Sequence, residues 1–592
     1  MKSILSKLLN LKYLAELKRS GLNIPKDRIN SSAKLKFKKN NKEYENLSSV
    51  TGILGKELEC HFSDLVNWKS IDTANFSKID FIIFDDEAFE LNSELIKDFV
   101  SKYGKQYPIV FFFKKIPNIG EYSCVLETAS KIFLSGDINV EGTPLEKIEH
   151  LIVRTDYYID IKKYLPVNRM NSTGRIGIII DNYSLQLENF ETLCNELEYW
   201  SLREELQIIS YKGEGLSGIS NKPFLVSSLS EVCENIEEAN QTADASVLLN
   251  FTKHQFTNYE IYKRMSKGQL AVNVFQQPNN ECSFDNLLDA KRENVFDFLH
   301  KAKGHFILDK LSVRCTRKVL DNYSPVKHIR NILNLLNSKS LKPRGISVVA
   351  CTSKPSFLKN IIENYKRQSY KDKELVIVLH SDKISIKKVV EQINDSSIRV
   401  YHRNPNSLSF GYCLNFGILQ SNKEYIAKFD DDDYYSEEYL SDMMNAYSYT
   451  DAKVIGKFTF HTYMHGSSKF VTRKPGGEYK YTSFLPGATF LIKRDVFYNN
   501  MFRDIPRDID GKFCADCAAN KIKMYSIDSF NLLVNRYEDK NIHTWKATDQ
   551  LIIRQSLPAV EEIDELLVNK QAYIKVDSIK LIFDTAKESV RV

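Results

Sequence analysis

Between residues 50 and 335, short and nearly continuous apolar runs alternate with amphipathic stretches. Examples are KIDFIIFDD (Lys78 to Asp86), YPIVFFF (Tyr107 to Phe113), KIFLSGD (Lys131 to Asp137) and GRIGIIIDN (Gly174 to Asn182). Apolar runs without polar alternation belong to strands covered on both faces, and their alternation with helical segments predicts parallel α/β layers. Several runs end in Asp, at the strand edge where open α/β sheets bind ligands. A basic helical segment, VKHIRNILNLLNSKSLKPRG (Val326 to Gly345), leads to a new start. There Ile346, Val348, Val349 and Ala350 predict a buried strand, and Thr352 to Pro355 a turn. Phe357, Leu358, Ile361, Ile362 and Tyr365 mark one face of a helix. The next apolar run, KELVIVLHSD (Lys373 to Asp382), completes a βαβ unit with a right-handed crossover, a nucleotide-binding architecture.

Composition adds limits. A chain of 592 residues is too long for one core and calls for about three to five structural units. The net charge of +6 is small for this length, and the basic run KLKFKKNNK (Lys34 to Lys42) is too short for a nucleic-acid-binding stripe, so no nucleic-acid partner is expected. No apolar segment approaches the roughly 20 residues that span a bilayer. Leu5, Leu8, Leu9, Leu11 and Leu17 form an amphipathic pattern within 1–48, suited to packing on a neighbour or to peripheral contact with a membrane surface. Ten scattered cysteines without an export signal argue for reduced thiols and a cytoplasmic setting, and the lone Cys514-x-x-Cys517 lies in a helical context with no second Cys/His pair nearby. The tail 556–592 is charged and amphipathic, open to packing on the preceding module or to pairing with a second chain in an oligomer.

The sharpest chemical feature is YIAKFDDDDYY (Tyr425 to Tyr435), with four aspartates directly behind a strand-like run. An acidic loop in water is one reading. The other is a hard divalent cation, Mn or Mg, which closely spaced carboxylates hold well when phosphate supplies the remaining oxygens.

Four stretches in order, ISVVACTSKPSFLKNIIENYKRQSYKDKELVIVLHSD, SLSFGYCLNFGILQSNKEYIAKFDDDDYYSEEYL, GATFLIKRDVF and YSIDSFNLLVNRYEDKNIHTW, resemble the GT-A glycosyltransferases of family 2 over 343–555. The resemblance implies that Asp430 and Asp432 form the D-x-D pair, with Asp431 between them. Asp430 and Asp431 would meet the donor, and Asp430 and Asp432 a cation bridging the diphosphate. Thr352 and Ser353 would cradle the base, Asp382 stands slightly late for the acid that reads uracil, and Asn415 lies in a glycine-and-asparagine helix under the donor. His543 resembles a late histidine that completes the metal shell. The general base aligns with Asp510, with Asp508 in reserve; Ile509 stands where a companion Glu is usual. Either aspartate is equally well read as a helix N-cap.

The order of YPIVFFFKKIP, ASKIFLSGD, GRIGIIIDNY and TNYEIYKRMSKGQLAVNVFQQ resembles the CgeB-like glycosyltransferases of GT-B fold over 49–335. The position of the ribose-holding glutamate is occupied by Lys263, with Glu260 out of register, which implies a degenerate, Rossmann-type α/β module without catalysis. Together these resemblances imply an inverting, metal-dependent transferase that moves a sugar from a nucleotide sugar, a UDP-sugar by preference, to a hydroxyl acceptor. A cell-surface or spore glycan is the first acceptor and a protein side chain the second. The rival from another class is a glycan- or nucleotide-sugar-binding protein without turnover.

Overall fold

The computed structural model describes residues between 49 and 558. The longest stretches outside the description are 1–48, 114–122, 160–173, 275–304, 382–392, 539–547 and 559–592, and there are shorter breaks. Asp382, His543, the N-terminal amphipathic pattern and the tail from 559 thus lie outside the described residues.

The α/β class expected from the apolar pattern is what the chain adopts, as four sheets. The first is wholly parallel and comprises β1 (Ser49–Ile53), β2 (Asn67–Ser70), β3 (Phe81–Asp85), β4 (Ile109–Phe113), β5 (Lys131–Ser135) and β6 (Ile152–Thr155), in the order β2-β1-β3-β4-β5-β6. Every residue of β3 and β4 is buried, the consequence of a sheet covered on both faces. The second sheet, also wholly parallel, runs β11-β10-β7-β8-β9, from β7 (Gly174–Ile180), β8 (Leu206–Tyr211), β9 (Leu229–Cys233), β10 (Ala245–Asn250) and β11 (Leu270–Asn273).

The region after the second sheet is a structural layer. Helix Pro325–Leu335 starts on a Ser324 cap with proline in its first turn, and it closes the first sheet: Ile329, Ile332 and Leu333 share a core with Phe81, Val110 and Phe133, and the His328 ring lies 4.7 Å from that of Phe112. Just before it, helix His305–Asn322 packs on helix Asn258–Ser266 of the second unit, where the Tyr262 and Tyr323 rings stack at 3.9 Å. The same helix reaches the C-terminal module: Arg317 donates to both carboxylate oxygens of Asp442, at 2.9 Å each.

The C-terminal module is built on an eight-stranded mixed sheet, β14-β13-β12-β15-β21-β17-β22-β20. Its members are β12 (Ile346–Thr352), β13 (Lys373–Leu379), β14 (Ile398–His402), β15 (Tyr425–Phe429), β17 (Val454–Gly456), β20 (Lys480–Thr482), β21 (Leu491–Lys493) and β22 (Met524–Ser526). The first four are parallel and β21 is antiparallel to β15. Helix Leu358–Arg367 makes the crossover from β12 to β13, as the sequence pattern predicts. The order in which successive strands are added reverses about β12, since β13 lies on one side and β15 on the other, both parallel to it; this is a topological switch point, and the crevice at its C-terminal edge is the expected ligand site. A smaller sheet, β16-β23-β18-β19-β24, backs the module, with β16 (Tyr434–Tyr435), β18 (Phe460–Met464), β19 (Lys469–Arg473), β23 (Leu532–Arg536) and β24 (Ser556–Pro558). Because β24 pairs with β19, ordered pairing runs past the boundary expected at 555. Among the described residues, no helix is long and apolar enough to cross a membrane.

Candidate active site

β12 and β15 run parallel, Ala350 opposite Phe429, so the next residues of each strand leave the sheet side by side. Thr352 and the four aspartates therefore meet at the switch point. Thr352 Oγ1 lies 2.5 Å from Asp431 Oδ2, to which it donates. Ser353 beside it is exposed.

The four carboxylates have different surroundings. Asp430 is bound by Lys428 Nζ, from the strand's own penultimate residue, and its backbone N–H donates to Tyr435 Oη at 2.9 Å. Tyr435 donates in turn to the Ala488 carbonyl at 2.8 Å, and its ring stacks on Phe429 at 3.8 Å. Asp433 is buried and structural: Oδ1 accepts from Asn535 N at 3.1 Å, and its carbonyl accepts from Asn360 Nδ2 and Asn364 Nδ2 at 2.9 and 2.8 Å. Asn360 also donates to the Asp431 carbonyl, and Asn535 Nδ2 to that of Asp432, both at 2.8 Å. Three asparagine side chains thus satisfy the backbone of a loop that no regular ladder could satisfy.

Electrostatically the loop is short of positive charge. Burial, and then the charges of Asp431 and Asp430, push the Asp432 carboxyl up to about 8. Asp431 is raised by burial against the opposing Thr352 hydroxyl, and Asp433 is raised well above the carboxylate range by burial and then by Asp432. Tyr537, from the strand end beyond β23, is also raised, by burial and then by Asp432. Among the described residues no group of three or more His, Cys, Asp and Glu side chains forms a ready-made metal cluster. An excess of buried carboxylate with two acids at D-x-D spacing nevertheless fits a divalent cation that shares its shell with an outside anion.

Asp510 comes to the same place from far along the chain. It lies in the first turn of helix Ile509–Ala519, and its Oδ1 is 3.8 Å from Lys428 Nζ. Lys428 therefore stands between the acidic loop and Asp510. Its side chain is only 5 % exposed, yet its pKa is raised: burial pushes it down, and the charges of Asp430 and then Asp510 more than offset that. Asp510 itself is raised by burial, against the lowering effect of Lys428. Asp508 sits differently. It is the N-cap residue in the left-handed region (φ 57°), its side chain makes no capping bond, and it is exposed with Lys512 3.7 Å away. Neither aspartate caps the helix, and only Asp510 faces the acidic loop.

The Asn415 side chain is spent on the fold. Nδ2 donates to the Phe502 carbonyl at 2.8 Å and Oδ1 accepts from Phe502 N at 3.0 Å, which ties helix Phe410–Gln420 to the loop leading to Asp508 and Asp510. Five residues are not legible as site residues in the sequence: Lys428, Asn360, Asn364, Asn535 and Gly487, over which the Asp510 carboxyl lies. A lysine inside an otherwise apolar strand run was the one available signal; the asparagines and the glycine act through tertiary contact.

In the N-terminal half, the strand-end aspartates have local work. Asp85 caps a helix by accepting from Ala88 N at 2.8 Å, and Asp181 Oδ1 accepts from Tyr183 N and Ser184 N at 2.9 and 3.0 Å. Glu260 closes a capping box with Thr257, and Lys263 is half-buried with its ammonium 5.6 Å from the Tyr259 ring centroid.

No curated relative matches the chain. Among solved structures it is similar to the S. aureus TarS fragment 1-349 in complex with UDP-GlcNAc, at 16% identity and a TM-score of 0.28, over 34% of this chain and 62% of that one. It is also similar to the mannosyltransferase PcManGT from Pyrobaculum calidifontis in complex with GDP-Man and Mn2+, at 12% identity and a TM-score of 0.26, over 33% of this chain and 56% of that one. The chain thus spans less than two thirds of either structure. Residues 346–504, which hold β12, the acidic loop and Gly487 but end before Asp508, match the family described as Glycosyl transferase family 2. That match lies wholly within the C-terminal module, whose residues 346–504 are similar to glycosyltransferases of that family.

Proposed function

We propose that the C-terminal module is an inverting, divalent-cation-dependent glycosyltransferase that moves a sugar from a nucleotide sugar, a UDP-sugar first, to a hydroxyl acceptor on a glycan. The observation that carries this reading is the convergence of Asp430 and Asp510, distant in sequence, on the buried ammonium of Lys428, beside Asp431 and Thr352 at the switch point.

In this reading the crevice at the ends of β12 and β15 takes the nucleotide, with Thr352 fixing Asp431 at its mouth. Asp432 and the Asp430 oxygen not held by Lys428 would hold Mn or Mg, which when bound offsets the charge of a departing nucleoside diphosphate. Asp510 takes the proton from the acceptor hydroxyl at Oδ1 or Oδ2. Burial raises its pKa, which strengthens it as a base, while Lys428 keeps the carboxylate form accessible. Attack from the face opposite the diphosphate inverts the anomeric centre. The two N-terminal parallel sheets form a GT-B-like module without turnover, used to capture acceptor or to brace the engine: Glu260 is committed to its helix cap, and a lysine at 263 cannot accept hydrogen bonds from a ribose diol.

Thermal unfolding of the full chain with Mn2+ and a panel of UDP-, GDP- and CDP-sugars tests this. One nucleotide class should raise stability, by about 2.7 kcal/mol at a hundredfold excess over Kd. No shift with any of them would remove the donor assignment.

A further inference from the structure

A carboxylate that removes a proton must be held in place while keeping an oxygen ready to receive it. Among the described residues Asp510 Oδ1 is buried and has no hydrogen-bond partner, so the group is fixed there by other means. Two neighbours are in position. Lys428 Nζ binds Asp430 and stands 3.8 Å from Asp510 Oδ1, too far for a direct hydrogen bond but close enough for charge attraction. On the other side the carboxyl lies over Gly487: a Cβ there would fall 1.9 Å from Oδ2, 2.0 Å from Cγ and 2.3 Å from Oδ1. All three nearest atoms belong to Asp510, and Gly487 is not among the residues with positive φ. The missing side chain at 487 is therefore needed for space and not for backbone conformation.

We propose that Lys428 and Gly487 are positioning residues which seat the Asp510 carboxylate against the donor-side Asp430. Gly487 supplies the floor. Lys428, which could not remain charged in this burial without nearby carboxylates, supplies the charge that keeps Asp510 turned toward Asp430. Donor side and acceptor side thus share one cation belonging to the protein. This rests on the reading of Asp510 as the base, but the seat itself can be tested without it.

The variants are Gly487→Ala, Lys428→Met and Lys428→Arg in the full chain. UDP affinity is measured by calorimetry with Mn2+, and UDP release to water is measured from UDP-glucose, UDP-galactose and UDP-N-acetylglucosamine. Gly487→Ala and Lys428→Met should each slow release by about a hundredfold or more, the scale of a displaced general base, with UDP affinity within about threefold of wild type. Lys428→Arg should recover most of the rate. Release at the wild-type rate in Gly487→Ala, or rate and affinity falling by the same factor in both variants, overturns the proposal. Melting separates the seat from the chemistry: Gly487→Ala should lower the unfolding midpoint of the wild-type chain but not that of an Asp510→Ala chain, because the clash is with the carboxyl alone. Equal lowering in both backgrounds overturns the seat, whether or not the wild type turns over any donor, and Gly487→Ala keeps the test open if Lys428→Met does not fold.

Discussion

Replacing Arg317 with Met asks whether the C-terminal module depends on the helix before it. The Arg317 guanidinium meets Asp442 through Nε and Nη2, with both oxygens engaged at 2.9 Å and the side chains only 11% and 7% exposed. Asp442 also accepts from Asn531 Nδ2 at 2.6 Å. Methionine keeps much of the packing volume but strands a buried carboxylate, for which the expected cost is about 3–5 kcal/mol. Restoring a neutral partner should recover part of that loss, so Arg317→Met/Asp442→Asn should be more stable than the sum of the single changes, with Asn still able to accept from Asn531. Urea unfolding followed by circular dichroism reports the whole chain, and tryptophan fluorescence, with Trp68 and Trp545 replaced by Phe, reports the surroundings of Trp200, buried in the second unit. The single variant should also pull the two transitions apart. A loss below about 1 kcal/mol, or strict additivity in the double variant, would refute the view that this ion pair joins the units.

Three further outcomes are expected. Asp510→Asn should abolish release of nucleoside diphosphate and leave donor affinity nearly unchanged, whereas Asp508→Asn, altering an exposed side chain paired with Lys512, should keep most of the rate; the reverse pattern would move the base to Asp508. Asn415→Ala should cost about 1–3 kcal/mol in urea unfolding, since it leaves the Phe502 amide and carbonyl without their partner; an unchanged midpoint with lost donor binding would return Asn415 to the donor site. With Asp432 pushed up to about 8, a proton competes with a cation below that pH, so Mn2+ affinity by calorimetry should rise up to about tenfold per pH unit from about 6 to about 8 and then level off. The sign for folding follows: this carboxyl holds in the native state a proton that the unfolded chain has lost above the ordinary aspartate value of 3.8. Metal-free stability should therefore fall as pH rises from about 4 to about 8, and a flat profile contradicts the shift.

The elements that sequence alone disclosed are those whose cause is local. The runs at 81–85, 109–113, 346–352 and 373–379 are apolar throughout because both faces of their strands are covered, and a continuous apolar run reports that directly. The acidic loop was visible because four adjacent carboxylates have few bland explanations. Its internal division was not: whether an aspartate holds backbone, as Asp433 does, or faces a lysine, as Asp430 does, depends on Asn535 and on which way Lys428 points. Asp510 stands out in the sequence only through its resemblance to the family's base, and its position over Gly487 exists only once the segment before β21 and helix Ile509–Ala519 have packed. The segment at 326–345 reads in sequence only as basic and helical; the apolar face of helix Pro325–Leu335 covers the first sheet. The Arg317–Asp442 pair, 125 residues apart, leaves no trace in local pattern.

The most direct test is product analysis with purified full-length chain, a nucleotide-sugar panel and Mn2+, repeated in EDTA and with Asp432→Ala. Slow release of a nucleoside diphosphate is expected in Mn2+, falling by several orders of magnitude both in EDTA and in the variant, with the variant's circular dichroism unchanged. Equal release in EDTA and Mn2+ would contradict the cation's role, release of pyrophosphate would make the module a nucleotidyltransferase, and no release from any donor would leave a binding protein in place of an enzyme.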